Sequence, residues 1–449
     1  MLPVPSGRLL LLLLGLFPVA IHAAAFGGSG LLLGAIACIL VLATIDMNGS
    51  ARMLHGVEVK ADPVCRLSRA SEGNYSIYFR ITNQMPRAFH IALAFDPEIE
   101  CSEYSKDVVL PAKEGSLFSV SFSVTPTNRG IYPAPKVFLE FPSRLGLFQV
   151  RRACATGGEI RVYPNLRRER KQLANLFMNR GLSGAHLQRQ TGQGREYEQL
   201  REYAPGDNIL DLHWKASAKR GAWATKMYQV ERTQHVYFIL DHSRLSGLRV
   251  ARDGNLGDDD SFGENFLERY VTVASVLGMA AEKQGDLFGL IAHGSRVSRF
   301  VPANTGSRHS QTVQDALFNL TPESAPADFA SLFTFLRLRI RRRSLLIFMT
   351  DLADDLAAGE FKKHVGLISR NHYVIVNSIR RPGVYPIFSD EYDAPSIAQQ
   401  ISGHMRWDGL RRMRLGLDAM GVQFSVLNQE KLSVDVVNQY LSVKQRQVI

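Results

Sequence analysis

The sequence predicts an α/β domain with a doubly wound, mostly parallel sheet, preceded by a small all-β domain and an N-terminal pair of membrane-spanning helices. Three observations predict this order. They are a long uncharged segment at the N-terminus, a series of strictly alternating apolar residues after it, and continuous apolar strands that alternate with helices in the second half. Hydrophobic residues make up 45% of the 449 residues, so most of the chain is expected to fold.

The N-terminal segment contains no Asp, Glu, Lys or Arg from Leu9 to Ile45. "GGSG" at 27–30 divides it into two apolar blocks, each about the minimum length for crossing a bilayer. We therefore predict a helical hairpin over residues 1–50. Basic residues flank both ends and none lies in the turn, so both ends are expected in the cytoplasm. The alternative is a signal peptide cleaved after "IHAAA", which would leave the second block as an anchor.

Residues 57–163 contain four runs in which every second residue is apolar. This period of two, with turn residues between the runs, predicts antiparallel strands and a β-sandwich of immunoglobulin type. The runs are Tyr75–Ile81, Phe89–Phe95, Phe118–Val124 and Val137–Phe141. The four cysteines form no CxxC pair, so buried free thiols are favoured over a Cys65–Cys101 bridge.

Residues 164–232 begin as a basic connector, with "RRERKQ" at 167–172. Two interpretations of these charges stay open. They form a solvated helix face or linker, or they contact anionic lipid at the inner leaflet. The net charge of +11 is compatible with either. No aromatic residues interleave the basic run as a stacking platform would require, so specific nucleic-acid binding is not expected.

Residues 233–449 alternate buried strands with helices and predict the α/β domain. Ligands of such sheets bind beyond the carboxyl ends of the strands. Two acids lie there, Asp241 after "HVYFIL" and Asp351 after "LLIFMT". With Ser243, their oxygens would suit a hard divalent cation such as Mg²⁺.

This arrangement resembles the von Willebrand factor A domain, which implies a von Willebrand factor A-like fold with a Rossmann-type sheet and a metal-ion-dependent adhesion site. That family has Asp-x-Ser-x-Ser after the first strand, Thr from a middle loop and a later Asp. Here Leu245 replaces the second Ser, and Ala327 or Asp328 stands where Thr is expected. The resemblance implies a metal site at Asp241, Ser243, Asp328 and Asp351. The alternative is that these acids cap the helices that follow them.

A charged stretch before this domain reads "GREYEQLREYAPGDNILDLHWKASAKRG". It resembles the signature of a bacterial family known as domain of unknown function 58. "SRLGLF" at 143–148 is similar to that family's Asp-Pro-Phe-Gly-Leu-Phe turn. The resemblance covers nearly the whole chain. It implies a bacterial inner-membrane protein with cytoplasmic soluble domains, and a MoxR-type AAA+ ATPase as partner.

Within the signature, Pro205, Gly206 and Asp207 predict a rigid turn. We expect Trp214 to be buried beneath that turn as a brace between two domains. Arg201, Lys215 and Arg220 are expected to pair with nearby acids, with Lys215 and Arg220 also contributing to partner contact. Bracing is favoured over a catalytic centre.

The chain contains no P-loop, no H-E-x-x-H and no G-x-S-x-G motif. The favoured interpretation is a non-catalytic, membrane-tethered adaptor that works with the ATPase in protein maturation, metal insertion or envelope stress. The alternative is a metal-dependent hydrolase that uses Asp241, Asp351 and a bound water. The sequence does not name the client protein.

Overall fold

The computed structural model describes residues 2–27, 29–51, 57–81, 88–109, 117–179, 191–204, 212–229, 233–248, 265–352, 354–387 and 397–446. The chain divides into two compact units, Met1–Asn165 and Leu166–Ile449. The mixed α/β character predicted from the sequence is confirmed.

The first unit begins with strand β1 (Leu2–Pro5) and two helices, α1 (Gly7–Phe26) and α2 (Ser29–Ala51). Among the described residues, one helical segment, Leu32–Gly49, is long and apolar enough to cross a bilayer, with a mean hydropathy of 1.9. The apolar part of α1, Gly7–His22, is shorter. The second of the two predicted spans is therefore the better supported by length and composition.

Eleven strands follow in the first unit. They are β2 (Val57–Ala61), β3 (Val64–Ser68), β4 (Gly73–Ile81), β5 (Ala88–Ala94), β6 (Ile99–Cys101), β7 (Ser105–Val109), β8 (Leu117–Pro126), β9 (Gly130–Pro133), β10 (Lys136–Pro142), β11 (Phe148–Ala155) and β12 (Glu159–Tyr163). They form sheets of order β1-β11-β10-β5-β7, β2-β4-β8-β6 and β3-β12-β9.

The alternating residues that predicted these strands point into one hydrophobic core. Every second residue from Tyr75 to Phe79, from Phe89 to Leu93, and from Val137 to Phe141 is buried. Because successive side chains of a strand point to opposite faces, a strand that is buried on one face has an apolar residue at every second position. Immunoglobulin-type connectivity stays a prediction. All four cysteines are free thiols, but only Cys101 is buried, whereas Cys65 and Cys154 are partly exposed and Cys38 is exposed.

The turn at residues 143–148 fastens the two helices to the strands. The Asp46 carboxylate near the end of α2 is buried and accepts a hydrogen bond from the Ser143 hydroxyl (2.5 Å). It also accepts from the backbone N–H groups of Leu145 (2.8 Å) and Leu147 (3.3 Å). Three donors satisfy a carboxylate that would otherwise be costly to bury.

The residues just before α1 bind the same turn. The Ser6 hydroxyl donates to the Gly146 carbonyl (2.5 Å), and the Ser6 N–H donates to the Leu147 carbonyl (2.8 Å). Gly146 has φ +72°, a backbone conformation that favours glycine. Both ends of the helical pair are therefore held by one turn.

The second unit opens with α3 (Arg167–Asn179), a hairpin of β13 (Thr191–Glu202) and β14 (Ala224–Gln229), and the short helix α4 (Trp214–Arg220) between those strands. Although α3 carries the basic run, its Leu173 and Phe177 side chains pack into a core of this unit. The predicted connector is thus partly an amphipathic helix with a buried face.

The main sheet has the strand order β17-β16-β15-β18-β19-β20, and every neighbouring pair is parallel except β16 and β17. The order reverses beside β15, as in other doubly wound sheets. Its strands are β15 (His235–Asp241), β16 (Leu287–His293), β17 (Val297–Asn304), β18 (Leu345–Met349), β19 (Tyr373–Ile379) and β20 (Gln423–Leu427).

Six helices cover the two faces of this sheet, and each face has its own hydrophobic core. Alternate residues of β15 pack into the two cores, with Phe238 in the core on one face and Ile239 in the core on the other. The helices are α5 (Phe266–Lys283), α6 (Ser307–Leu317), α7 (Phe329–Arg339), α8 (Asp355–Ile368), α9 (Ile397–Asp418) and α10 (Leu432–Arg446). Burial on both sides explains the continuous apolar runs in the sequence.

A buried carboxylate, Asp286, joins α10 to the start of β16. It is inaccessible to solvent and accepts hydrogen bonds from the Tyr440 hydroxyl, the Lys444 ammonium (2.7 Å) and the Gln234 N–H (3.0 Å). Burial, reinforced by the Asp286 charge, raises the pKa of Tyr440 far above its usual range, so its hydroxyl remains a donor.

We expect Asp286→Ala to lower the free energy of unfolding by about 3–5 kcal/mol, because it leaves the Lys444 charge partly buried without its partner. Exposed Glu430→Ala is the control and should change it by less than about 0.5 kcal/mol. Thermal melting of the full chain in detergent measures both. Equal melting temperatures for the two variants would contradict this role of Asp286.

Candidate functional site

The two strand-end acids lie at neighbouring positions on the carboxyl edge of the main sheet. Asp241 ends β15 and is 2% exposed. One of its oxygens accepts the Ser243 N–H (2.8 Å), and the other accepts the Thr350 hydroxyl (2.7 Å). Thr350 directly precedes Asp351, so Asp241, Ser243 and Asp351 all lie at the ends of the neighbouring strands β15 and β18. The bond to the Ser243 N–H also agrees with the capping alternative.

Asp351 is paired with an arginine that the sequence reasoning missed. The Arg381 guanidinium donates twice to one Asp351 oxygen, from Nε (2.9 Å) and from Nη2. The side chain of Asp351 is 6% exposed and that of Arg381 is 23% exposed. The contact is a charge-assisted pair that is largely shielded from water.

The remaining residues of the predicted metal site do not join this pair. Asp328 is exposed and caps α7 by accepting the Ser331 N–H (2.9 Å). Leu245 offers no oxygen ligand in its side chain, and the Ser246 hydroxyl donates to the Ser243 carbonyl (2.7 Å). Across the described residues, no three His, Cys, Asp or Glu side chains form a metal-binding group.

As arranged, these donors do not fit a hard divalent cation. Such an ion takes six or more oxygen ligands, part of them from water, and binds where the local charge is negative, whereas Asp351 faces the positive charge of Arg381. Binding of Mg²⁺ at this edge stays a prediction.

A histidine and a serine also meet at this edge. His242 Nε2 lies 2.6 Å from the Ser298 hydroxyl oxygen and 3.8 Å from a Glu323 oxygen, while Nδ1 lies 3.2 Å from the Thr321 carbonyl oxygen. In a catalytic triad the acid and the serine bind opposite ring nitrogens, but here both lie at Nε2. His242 is also only 3% exposed.

His293 pairs in register with Asp241 across β15 and β16 and is 1% exposed. Neither of its ring nitrogens has a hydrogen-bond partner among the described residues. Burial lowers the pKa of His293, so the ring is neutral in the folded protein.

The signature region presents aromatic rings to solvent. Trp214 begins α4 and is 64% exposed, and Trp223 is 60% exposed. Their ring centroids lie 6.1 Å apart, and that of Tyr203 lies 6.2 Å from Trp223. We call Tyr203, Trp214 and Trp223 the aromatic cluster. The prediction that Trp214 is buried is wrong, because its position at the first residue of α4 directs the ring outward.

The backbone beneath the aromatic cluster is well ordered by hydrogen bonds. The Tyr203 N–H donates to the Trp223 carbonyl (2.8 Å), and His213 caps α4 by accepting the Ala216 N–H (3.1 Å). Arg201 and Lys215 are exposed at the surface. Asp207 and the side chain of Arg220 lie outside the described residues.

The neutral, buried state of His293 predicts acid sensitivity. Below the ordinary histidine pKa of about 6.5 the unfolded chain binds a proton that the folded protein excludes. The free energy of unfolding should therefore fall as pH drops, by up to about 1.4 kcal/mol per pH unit for this group. Denaturant titrations at pH 7, 6 and 5 should show a shallower decline for His293→Leu. Identical slopes in the two proteins would exclude His293 as the cause.

Comparison with curated proteins finds relatives without assigned function. The chain is 24% identical over 207 residues to the uncharacterized protein Rv1480 of Mycobacterium tuberculosis, covering 45% of this chain and 60% of that protein. It is 23% identical over 205 residues to the uncharacterized protein YeaD of Bacillus subtilis, covering 46% of each. The chain thus spans less than two thirds of the length of either relative.

Comparison with solved structures finds proteins of low structural and sequence similarity. The PilB minor pilin from Streptococcus sanguinis has a TM-score of 0.35 and 9% identity, with coverage of 90% of this chain and 98% of that one. An aerotolerance-related membrane protein from Bacteroides fragilis has a TM-score of 0.26 and 14% identity, with coverage of 46% and 98%.

The family model described as "Protein of unknown function DUF58" matches residues 199–383. The match begins before the aromatic cluster and ends after Arg381. The family resemblance inferred from the signature is confirmed for residues 199–383, which match the DUF58 family model.

Proposed function

We propose that the chain is a membrane-tethered, non-catalytic adaptor whose second unit binds a protein partner through the aromatic cluster. The exposure of two tryptophans within the DUF58 domain carries this proposal. Tryptophan and tyrosine are enriched among the residues that dominate binding energy at protein interfaces, and large exposed apolar groups mark such sites.

The surroundings of the aromatic cluster indicate the charge of the partner. Lys215 and Lys219 of α4 are exposed beside Trp214, and Arg201 is exposed on β13. Cations around an apolar centre favour a partner surface with acidic residues at its rim, because complementary charge speeds encounter and disfavours wrong partners. The rings would supply most of the affinity.

The partner proposed is a MoxR-type AAA+ ATPase, as the family resemblance implies. The chain has no P-loop of its own, so ATP hydrolysis would come from the partner. In this scheme the adaptor holds the ATPase or its client at the membrane during protein maturation, metal insertion or envelope stress.

The membrane attachment is supported by α2 and by the 143–148 turn. This turn binds Asp46 at the end of α2 and Ser6 before α1, so both ends of the helical pair meet one β-sheet domain. That arrangement favours a hairpin with both ends on one side of the bilayer. We place that side in the cytoplasm of the bacterial inner membrane, because the flanks are basic and the turn of the hairpin is uncharged.

The alternative of a metal-dependent hydrolase is less well supported. It would need Asp241 and Asp351 to hold a metal-bound water, but Asp351 is paired with Arg381. The nearby histidine, His242, is buried and hydrogen-bonded to Ser298.

We expect Trp214→Ala and Trp223→Ala each to weaken capture of the purified ATPase by about 30-fold, the equivalent of about 2 kcal/mol for an interface hot spot. Their melting temperatures should stay close to that of the wild type, since exposed residues contribute little to folding. Leu356→Ala is a matched control, because Leu356 is 82% exposed on α8 of the same unit. Pull-down of full-length protein measures capture. Wild-type capture by both tryptophan variants would overturn the proposed surface.

Topology provides a separate test. A reporter that is active only in the periplasm should stay silent when it is fused after Ile449, whereas a cytoplasmic reporter at the same position should be active. Strong periplasmic activity would place the second unit on the opposite side and refute the cytoplasmic assignment.

A further inference from the structure

The carboxyl edge of the main sheet contains a positively charged side chain, Arg381, beside its two buried carboxylates. Asp241 and Asp351 are 2% and 6% exposed and lie at adjacent strand ends. The Thr350 hydroxyl binds Asp241 (2.7 Å), and the next residue, Asp351, binds Arg381 (2.9 Å from Nε), so both carboxylates are held at this edge. Two buried carboxylates without a nearby positive charge would be strongly destabilising, and a bound divalent cation is one way to avoid that cost.

The loop after β19 delivers the Arg381 guanidinium to this place. The Arg380 N–H donates to the Leu427 carbonyl at the end of β20 (2.8 Å), which fixes the start of the loop. Gly383 has φ +77°, and its carbonyl oxygen would lie only 2.0 Å from a Cβ at Gly403 of α9. The loop is therefore packed against α9 so closely that glycine is required there.

We propose that the Arg381 guanidinium replaces the divalent cation of this edge, so that the DUF58 domain folds without metal. Removing the guanidinium then converts the oxygens of Asp241, Ser243 and Asp351 into a site for a hard divalent cation. Arginine suits this role because it keeps its charge at all physiological pH values and donates two bonds to one carboxylate in a fixed geometry.

The proposal makes opposite predictions for two adjacent arginines. Arg381 binds Asp351, whereas the guanidinium carbon of Arg380 lies 5.8 Å from the ring centroid of Tyr385. Loss of Arg381 exposes carboxylate oxygens to a metal ion, and loss of Arg380 does not. Arg380→Ala is therefore a matched control of the same charge change one residue away.

The probe is Mn²⁺, a hard divalent ion whose electron paramagnetic resonance signal separates free from bound metal. We titrate the full-length wild type, Arg381→Ala, Arg381→Gln, Arg380→Ala and the double variant Arg381→Ala/Asp351→Asn in detergent. Wild type and Arg380→Ala should show no specific site. Both Arg381 variants should gain one site per chain, at least about tenfold tighter than any wild-type binding, with oxygen ligands that Mg²⁺ also accepts. The double variant should lose it.

Melting temperatures add a second readout. Arg381→Ala should melt below wild type, and Mn²⁺ or Mg²⁺ should recover part of that loss, because an ion that binds only the folded state stabilises it. Arg381→Gln keeps a hydrogen-bond donor and serves if the alanine variant does not fold. An Asp351-dependent metal site in the wild type would overturn the proposal, and so would folded Arg381 variants that bind no more Mn²⁺ than Arg380→Ala. No partner protein is used, so the result is independent of the proposed function.

Discussion

Burial of the parallel sheet on both of its faces is the constraint on which the second unit depends. Every residue of β18 and nearly every residue of β15 is buried, so the interior of these strands has no position for a charged side chain. In these two strands the carboxylates lie at or just after the strand ends, where the chain leaves the apolar layers. Asp241, His293 and Asp351 accumulate at one edge for this reason, and the edge has to satisfy the charges of the two carboxylates from within.

The edge meets that requirement with donors from three separate segments. Ser243 follows β15, Thr350 follows β18 and Arg381 follows β19. Ser243 is close to Asp241 in the chain, whereas Thr350 and Arg381 reach their carboxylates because the strands are neighbours in the sheet. Because the carboxylates of this edge are hydrogen-bonded to donors of the same edge, few of their oxygens are available to a small ligand. The exposed rings of the aromatic cluster are the opposite case, since they have apolar surface with little to cover it.

Sequence periodicity predicted the elements whose burial is uniform. The continuous runs of β15 and β18 and the alternating runs of the first unit are examples. Strand β17 was missed because Val297, Phe300 and Val301 do not alternate and Pro302 interrupts the pattern, as an edge strand permits. The burial of Trp214 was predicted wrongly because the large apolar ring of a tryptophan is usually packed in a core. Here Trp214 is the first residue of α4, after the His213 cap, and its ring is exposed. Arg381 could not be found from sequence, since its pairing with Asp351 depends on β18 and β19 being adjacent.

The contact between the 143–148 turn and the helical pair has a consequence for biosynthesis. Strand β1 emerges from the ribosome before α1, but its partner β11 follows more than a hundred residues later. At about 5–20 residues per second, the edge strand waits on the order of ten seconds for its neighbour. During that time α1 and α2 have already been synthesised. The edge strand made first therefore completes this sheet last, after both helices that follow it have left the ribosome.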